Sequence, residues 1–188
     1  MTERIRSFIA VPLPEEVRRA VGMTIEELRT FGAEVGWVRP ENLHLTLRFL
    51  GEQGERELAR AREALAEATA EASAFTVSLR GLGAFPLRGT PRVIWVGVAE
   101  GAERLSALQA QVEAALARRG FRPEERAFHP HLTIGRVRGT RGVQALSGAL
   151  GGEEVFGEAE VAAVHLMRSD LHPSGARYSV LGSFALGR

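Results

Sequence analysis

The tetrapeptide His-Leu-Thr followed by Leu or Ile occurs twice, at His44–Leu47 and at His131–Ile134, and the two copies lie 87 residues apart. The same offset carries Pro14–Ala33 onto Gly101–Gly120. The first of these stretches is marked as a helix. Pro14 suits the opening turn, Glu15 and Glu16 favour its positive end, and Val17, Val21, Ile25 and Leu28 form an apolar stripe. Chance readily supplies one matched tetrapeptide. It less readily places each copy behind a helix of equal length at one offset. The chain is therefore constrained to a fold with two similar halves.

Periodicity and turn residues fill in the order. Strands are predicted at Arg4–Leu13, Val35–Val38 and Leu43–Leu50, the last carrying the first motif, with a helix at Glu55–Ala72 behind them. Strands Phe75–Leu82 and Arg92–Val98, a helix at Ala102–Arg119 and a second motif strand at Phe128–Val137 follow. A short helix at Val143–Leu150 precedes two long strands, Glu160–Ser169 and Tyr178–Ala185, about the turn Asp170–Ala176. The fold class read from this order is α+β. A single bilobal domain over residues 1–188 is expected, its two pseudo-symmetric lobes each an antiparallel sheet with helices packed outside. The motif strands, 43–50 and 128–137, would meet at the pseudo-twofold axis, with an active-site cleft between the sheets.

Composition narrows the chemistry. Cysteine is absent, so disulfides, thiolate nucleophiles and Cys-ligated metals are excluded. No apolar run reaches the length of a membrane span, and the opening MTERIRSFIAVPLPEE is too short and interrupted to act as a secretory signal. A cytoplasmic monomer is expected. The formal net charge of +1 argues neither for nor against a polyanionic partner. All 24 basic residues are Arg, which with a single Asn and abundant Ala and Gly fits a GC-rich genome better than a polyanion-binding surface. Each arginine has to be judged by its position.

On a strand, His and Thr two residues apart share one face, roughly 7 Å from Cα to Cα, while the Leu and Ile between them point into a core. Two such strands side by side present two imidazoles and two hydroxyls to one cleft. Near neutrality one imidazole can accept a proton while the other donates one. Threonine hydroxyls can hydrogen-bond non-bridging oxygens. A phosphodiester, above all a strained 2′,3′-cyclic phosphate, suits this equipment without a metal. The symmetry leaves open which histidine is the acid.

The doubled motif in its surroundings, RSFIAVPLP, WVRPENLHLTLRFLGE, FHPHLTIGRV and LMRSDLHPSGARYSVL, resembles the two-histidine phosphoesterase superfamily. Within it the likeness is to the RNA 2′,3′-cyclic phosphodiesterases, also called 2′-5′ RNA ligases, and it spans nearly the whole chain in family order. The resemblance implies metal-independent and cofactor-free opening of a 2′,3′-cyclic phosphate to a 2′-phosphomonoester at an RNA end. It makes His44 the proton donor to O3′ and His131 the base toward water. A 5′-hydroxyl in place of water would give a 2′-5′ linkage. It also matches Arg136, five residues after His131, to a phosphate-binding arginine. A non-catalytic RNA-end binding module, or a cyclic phosphodiesterase for small nucleotides such as cyclic ADP-ribose phosphate, are the competing readings.

Thr46 and Thr133 are expected at the phosphate because they share a face with the histidines. Arg136 has the wrong parity for that face, so a bulge, a twist or the strand end is required, with Gly135 supplying freedom. Arg48 has the right parity and is a candidate substrate contact. Phe49, the counterpart of Arg136 under the 87-residue shift, is a second candidate, by stacking on a base. His129 and His131 form a His-x-His pair, but Pro130 and the lack of nearby acidic or thiol ligands speak against a metal. His129 is read as support for the motif strand or a residue of the cleft rim, and His165 and His172 as structural. Trp37 and Trp95 are read as core or lobe packing, and Tyr178 chiefly as packing, with a place near the cleft as its alternative.

Overall fold

The computed structural model describes residues 3–187. The chain runs β1 (Ile5–Pro12), α1 (Glu15–Arg29), β2 (Val35–Trp37), a 3-10 turn (Pro40–Asn42) and the first motif strand β3 (His44–Gln53). Next come α2 (Glu55–Ala70), β4 (Phe75–Phe85), β5 (Val93–Val98), α3 (Ala102–Arg118) and the second motif strand β6 (His131–Val137). The last elements are α4 (Val143–Gly148), β7 (Val155–Val161), β8 (Ala163–His172) and β9 (Gly175–Ala185).

These strands form two antiparallel sheets, ordered β3-β1-β8-β9 and β2-β6-β5-β4-β7. With β2 set aside the two orders are equivalent, and the 87-residue shift carries β1 onto β5, β3 onto β6 and β4 onto β8. The α+β class with two pseudo-symmetric antiparallel sheets is thus as expected. The lobes, however, are not consecutive halves of the chain: β2 and β4 lie in the second sheet and β8 and β9 in the first, so each half lends two strands to the other.

Several strand boundaries differ from the sequence reading. β3 and β4 run on to Gln53 and Phe85, and the turn expected at Asp170–Ala176 narrows to residues 173–174, because β8 extends to His172 and β9 starts at Gly175. The segment 160–169 is not one strand, because the chain crosses between sheets at Ala162 and divides it into β7 and β8. The change of side is visible in burial, which falls on Ala159 and Val161 before the crossing and on Val164 and Leu166 after it. The second motif strand starts at His131 rather than Phe128. Pro130 has no N–H to give to a ladder and keeps the residues before it out of the sheet.

Helix α1 packs against β7, while α2 and α3 pack on each other and over the outer side of the first sheet. The apolar motif residues Leu45, Leu47, Leu132 and Ile134 are all at most 3% exposed and join one continuous core with both sheets and the helices. Burying each contributes about 1.5–3 kcal/mol. That anchoring fixes the opposite face of β3 and β6 toward the cleft.

Candidate active site

The two motif strands lie against each other where the sheets meet. Each carries a bulged residue at an equivalent position, and β3 a further one at Leu50, beyond Phe49. In β3 the ladder with β1 passes from Thr46–Ala10 to Arg48–Ile9, leaving Leu47 unpaired. In β6 the ladder with β5 passes from Thr133–Trp95 to Gly135–Ile94, leaving Ile134 unpaired. A bulge reverses the alternation beyond it. His44, Thr46 and Phe49 therefore share one face, opposite Pro12, Ala10 and Phe8 of β1. His131, Thr133 and Arg136 share the matching face, opposite Gly97, Trp95 and Val93 of β5.

The required bulge thus stands one residue before Gly135. A Cβ on Gly135 would come 2.7 Å from Val35 and 2.9 Å from Trp37, so this glycine serves to admit β2 alongside β6. Arg48 falls on the far side of its bulge, contrary to the expectation of a substrate contact. Its guanidinium pairs with Glu113 of α3 at 2.9 and 3.0 Å and donates to the Arg122 carbonyl at 2.6 Å. It braces the strand against α3 on the helix side of the sheet.

Both histidines are held in the same way. Nδ1 of His44 lies 2.6 Å from the carbonyl oxygen of Asn42, and Nδ1 of His131 lies 2.6 Å from that of His129. A carbonyl only accepts, so Nδ1 carries the hydrogen and Nε2 of the neutral ring is left as the proton acceptor. His44 Nε2 lies 2.9 Å from the Thr46 hydroxyl, which donates to it when the ring is neutral. The His44 ring stacks on Phe8 at 4.8 Å and meets the edge of Tyr178 at 5.4 Å. The His131 ring stands perpendicular to Phe85 at 5.1 Å.

Burial pushes both imidazoles below their ordinary pKa, and in each case the Nδ1 hydrogen bond to a carbonyl opposes it. His131 is lowered further by the positive charge of Arg136. Arg136 is close enough to act on Tyr178 as well, and Tyr178 touches His44, which ties the two sheets into one site. Neither Arg136 nor Arg6 of β1 has an acidic partner within 4.0 Å among the described residues. The cleft between the motif faces therefore carries uncompensated positive charge, the setting for an anion.

Several contributions go beyond the sequence reading. Asn42, the only asparagine of the chain, fixes His44 through its carbonyl and donates from its side chain to the Ala176 carbonyl at 2.8 Å, holding the start of β9 in place. Its position is that of His129 under the 87-residue shift, which is the signal that identifies it. Tyr178 takes the alternative left open for it, standing against Phe8 and His44 at the cleft. His165 stands on the cleft face of β8, level with Ala10, and not on the outer side of the sheet. Trp95 also faces the cleft, its ring lying where a Cβ of Gly83 would be, so a larger residue there would displace it. His129 holds His131 through its main-chain carbonyl rather than its ring. Among the described residues no group of three or more His, Asp or Glu side chains is placed to hold a metal ion.

Comparison with known proteins gives a consistent picture. The family model described as the 2′-5′ RNA ligase superfamily matches residues 13–173. A Methanothermobacter thermautotrophicus protein named RNA 2′,3′-cyclic phosphodiesterase is 40% identical over 97% of this chain and 100% of its own. One of the same name from Archaeoglobus fulgidus is 42% identical, over 96% and 99%. Among solved structures, one from Thermus thermophilus superposes with a TM-score of 0.79 at 34% identity, covering 97% of this chain and 99% of the other. The Escherichia coli LigT complex with 3′-AMP superposes with a TM-score of 0.78 at 26% identity, covering 99% and 100%.

Proposed function

Because the chain belongs to the 2′-5′ RNA ligase superfamily, we propose that its cleft opens the 2′,3′-cyclic phosphate at the end of an RNA strand and leaves a 2′-phosphomonoester. The observation that carries this reading is the symmetric pair of histidines. Each has Nδ1 tied to a main-chain carbonyl two residues back, and the two stand on strands that meet at a positively charged cleft.

In the proposed reaction His131 Nε2 takes a proton from water as the water oxygen bonds to phosphorus. The P–O3′ bond breaks, and O3′ takes its proton from His44 Nε2. This leaves a 3′-hydroxyl and a 2′-phosphate. Arg136 supports the division of roles: its charge disfavours a proton on His131, as a base requires, whereas His44 has no cation acting on it in this way. Thr46, Thr133 and Arg136 contact the non-bridging oxygens and hold the charge that builds on them. Phe49, 56% exposed on the cleft face, offers its ring to the terminal base. With a 5′-hydroxyl in place of water the same proton transfers form a 2′-5′ bond.

The test is incubation of the protein in EDTA with an oligoribonucleotide ending in a 2′,3′-cyclic phosphate, with the product end identified by phosphorus NMR. A 2′-phosphomonoester is expected. His44→Ala and His131→Ala should each lower turnover by about 10²–10⁴. Tight binding without turnover would replace this reading with that of an RNA-end binding module. Full activity in either alanine variant would remove the two-histidine mechanism.

A further inference from the structure

Beyond the catalytic pair, the cleft face of the first sheet carries a row of polar groups that opening a cyclic phosphate does not use. The ladder of β1 with β8 ends at Ser7 and Arg168, so Arg6, the next residue along β1, stands level with Ser169. Ser169 pairs in turn with Tyr178 of β9. Arg6 shares its face with Phe8, and the Tyr178 ring meets Phe8 edge-on at 4.9 Å. Sheet twist lifts opposite corners of a sheet toward the same side. That is how Tyr178 on one outer strand reaches His44 on the other.

The Tyr178 hydroxyl makes no hydrogen bond among the described residues. Burial raises its pKa, so it remains a neutral donor, and the charges acting on it are Arg136 from one sheet and Arg6 from the other. Glu52 faces Arg6 across the β1–β3 ladder but lies outside ion-pair distance. One cyclic phosphate, a monoanion, is fully served by Thr46, Thr133 and Arg136. A second cation and an unused phenol hydroxyl on the same face call for a second anion.

We propose that Arg6 and Tyr178 form a subsite for the phosphate on the 5′ oxygen of the nucleotide whose cyclic end lies between His44 and His131. The subsite rests on the RNA-end reading and deepens it. The preferred substrate is a strand, or a nucleotide phosphorylated at its 5′ position, rather than a bare nucleoside cyclic phosphate. The Tyr178 ring, packed edge-on over the buried Phe8, forms the apolar floor between the two anion positions, where the ribose rests.

The test compares adenosine 2′,3′-cyclic phosphate with and without a 5′-phosphate. Hydrogen bonds to charged groups contribute about 1.5–3 kcal/mol, so kcat/KM should be about 10–150-fold higher with the 5′-phosphate. Arg6→Gln should remove most of that ratio and Tyr178→Phe a smaller part, while Glu52→Gln should enlarge it. A wild-type ratio near one overturns the subsite, as does an Arg6→Gln loss shared equally by both substrates. Calorimetry with adenosine 2′,5′-bisphosphate and adenosine 2′-phosphate reads the same preference without turnover. Tighter binding of the bisphosphate by a protein that hydrolyses neither substrate would keep the subsite and discard the hydrolysis. Equal binding of the two by an active enzyme would do the reverse.

Discussion

At the scale of single residues the cleft depends on where two protons sit. In the proposed reaction His44 must hold one and His131 must lack one, so activity should rise as His131 loses its proton and fall as His44 loses its own. Burial lowers both from the ordinary value of 6.5. The bell in kcat/KM, which reports free enzyme, should therefore centre below that value. A bound cyclic phosphate brings a negative charge that favours both protonated rings, so the kcat profile should lie at higher pH than the kcat/KM profile. Profiles of both parameters from pH 4.5 to 8.5 would check this, and a flat kcat/KM curve would contradict it. Thr46→Val removes the hydroxyl 2.9 Å from His44 Nε2 and, in the proposed reaction, one donor to the phosphate. A loss of about 10²–10³ in kcat, with a smaller change in KM, is expected from single oxyanion donors.

At the scale of elements, one unpaired residue in each motif strand decides which side chains reach the substrate. Alternation places His44 with Thr46 and His131 with Thr133, and this much was legible in the sequence. It fails beyond Leu47 and Ile134, because a bulge is set by how a strand registers with its neighbour, and Leu and Ile are ordinary strand residues with no local mark of it. Arg136 exposed the second bulge only because the family resemblance demanded that it face the cleft. In β3 no such demand existed, and Arg48 and Phe49 were both left as candidates although they point to opposite sides. The crossing at Ala162 left a clearer trace: Val161 and Val164, both buried, are three residues apart where a continuous strand would keep an even spacing. The faces make opposite predictions for neighbouring residues. Phe49→Ala should weaken binding of an RNA end by about 1–3 kcal/mol, the range for base stacking, with little loss of stability. Arg48→Met breaks a largely buried pair, its side chains 11% and 20% exposed. It should cost roughly 1–3 kcal/mol of stability, below the ~3–5 of a fully buried pair, and leave KM unchanged. Denaturant melts and Michaelis constants on the two variants would separate the roles, and a raised KM in Arg48→Met would return that residue to the cleft.

At the scale of the whole molecule, the exchange of β4 and β8 means that neither sheet can close its order with strands from one half of the chain. The cleft has the same property, since Arg136 from the second sheet acts on Tyr178 of the first. The repeat was legible as a repeat, but which strands pair is a non-local matter that an offset does not encode. Interlocked halves with one continuous core should unfold together. Trp37 and Trp95 both lie in the second sheet, so their fluorescence reports that lobe, while circular dichroism reports all helices and strands. The two probes should give coincident denaturant midpoints, and separate transitions would show two independent units. Acid should weaken this joint unit from the cleft outward. His44, His131 and His165 all have folded-state pKa values lowered by burial, so between those values and 6.5 the unfolded chain binds more protons than the native one. The stability they protect is present above pH 6.5 and is lost as pH falls through the lowered values. The melting temperature should therefore decline from pH 7 toward pH 5. The decline should become shallower in His165→Gln, which removes one of the three protons without touching the catalytic pair. An unaltered slope in that variant would show that His165 titrates as it does in the unfolded chain.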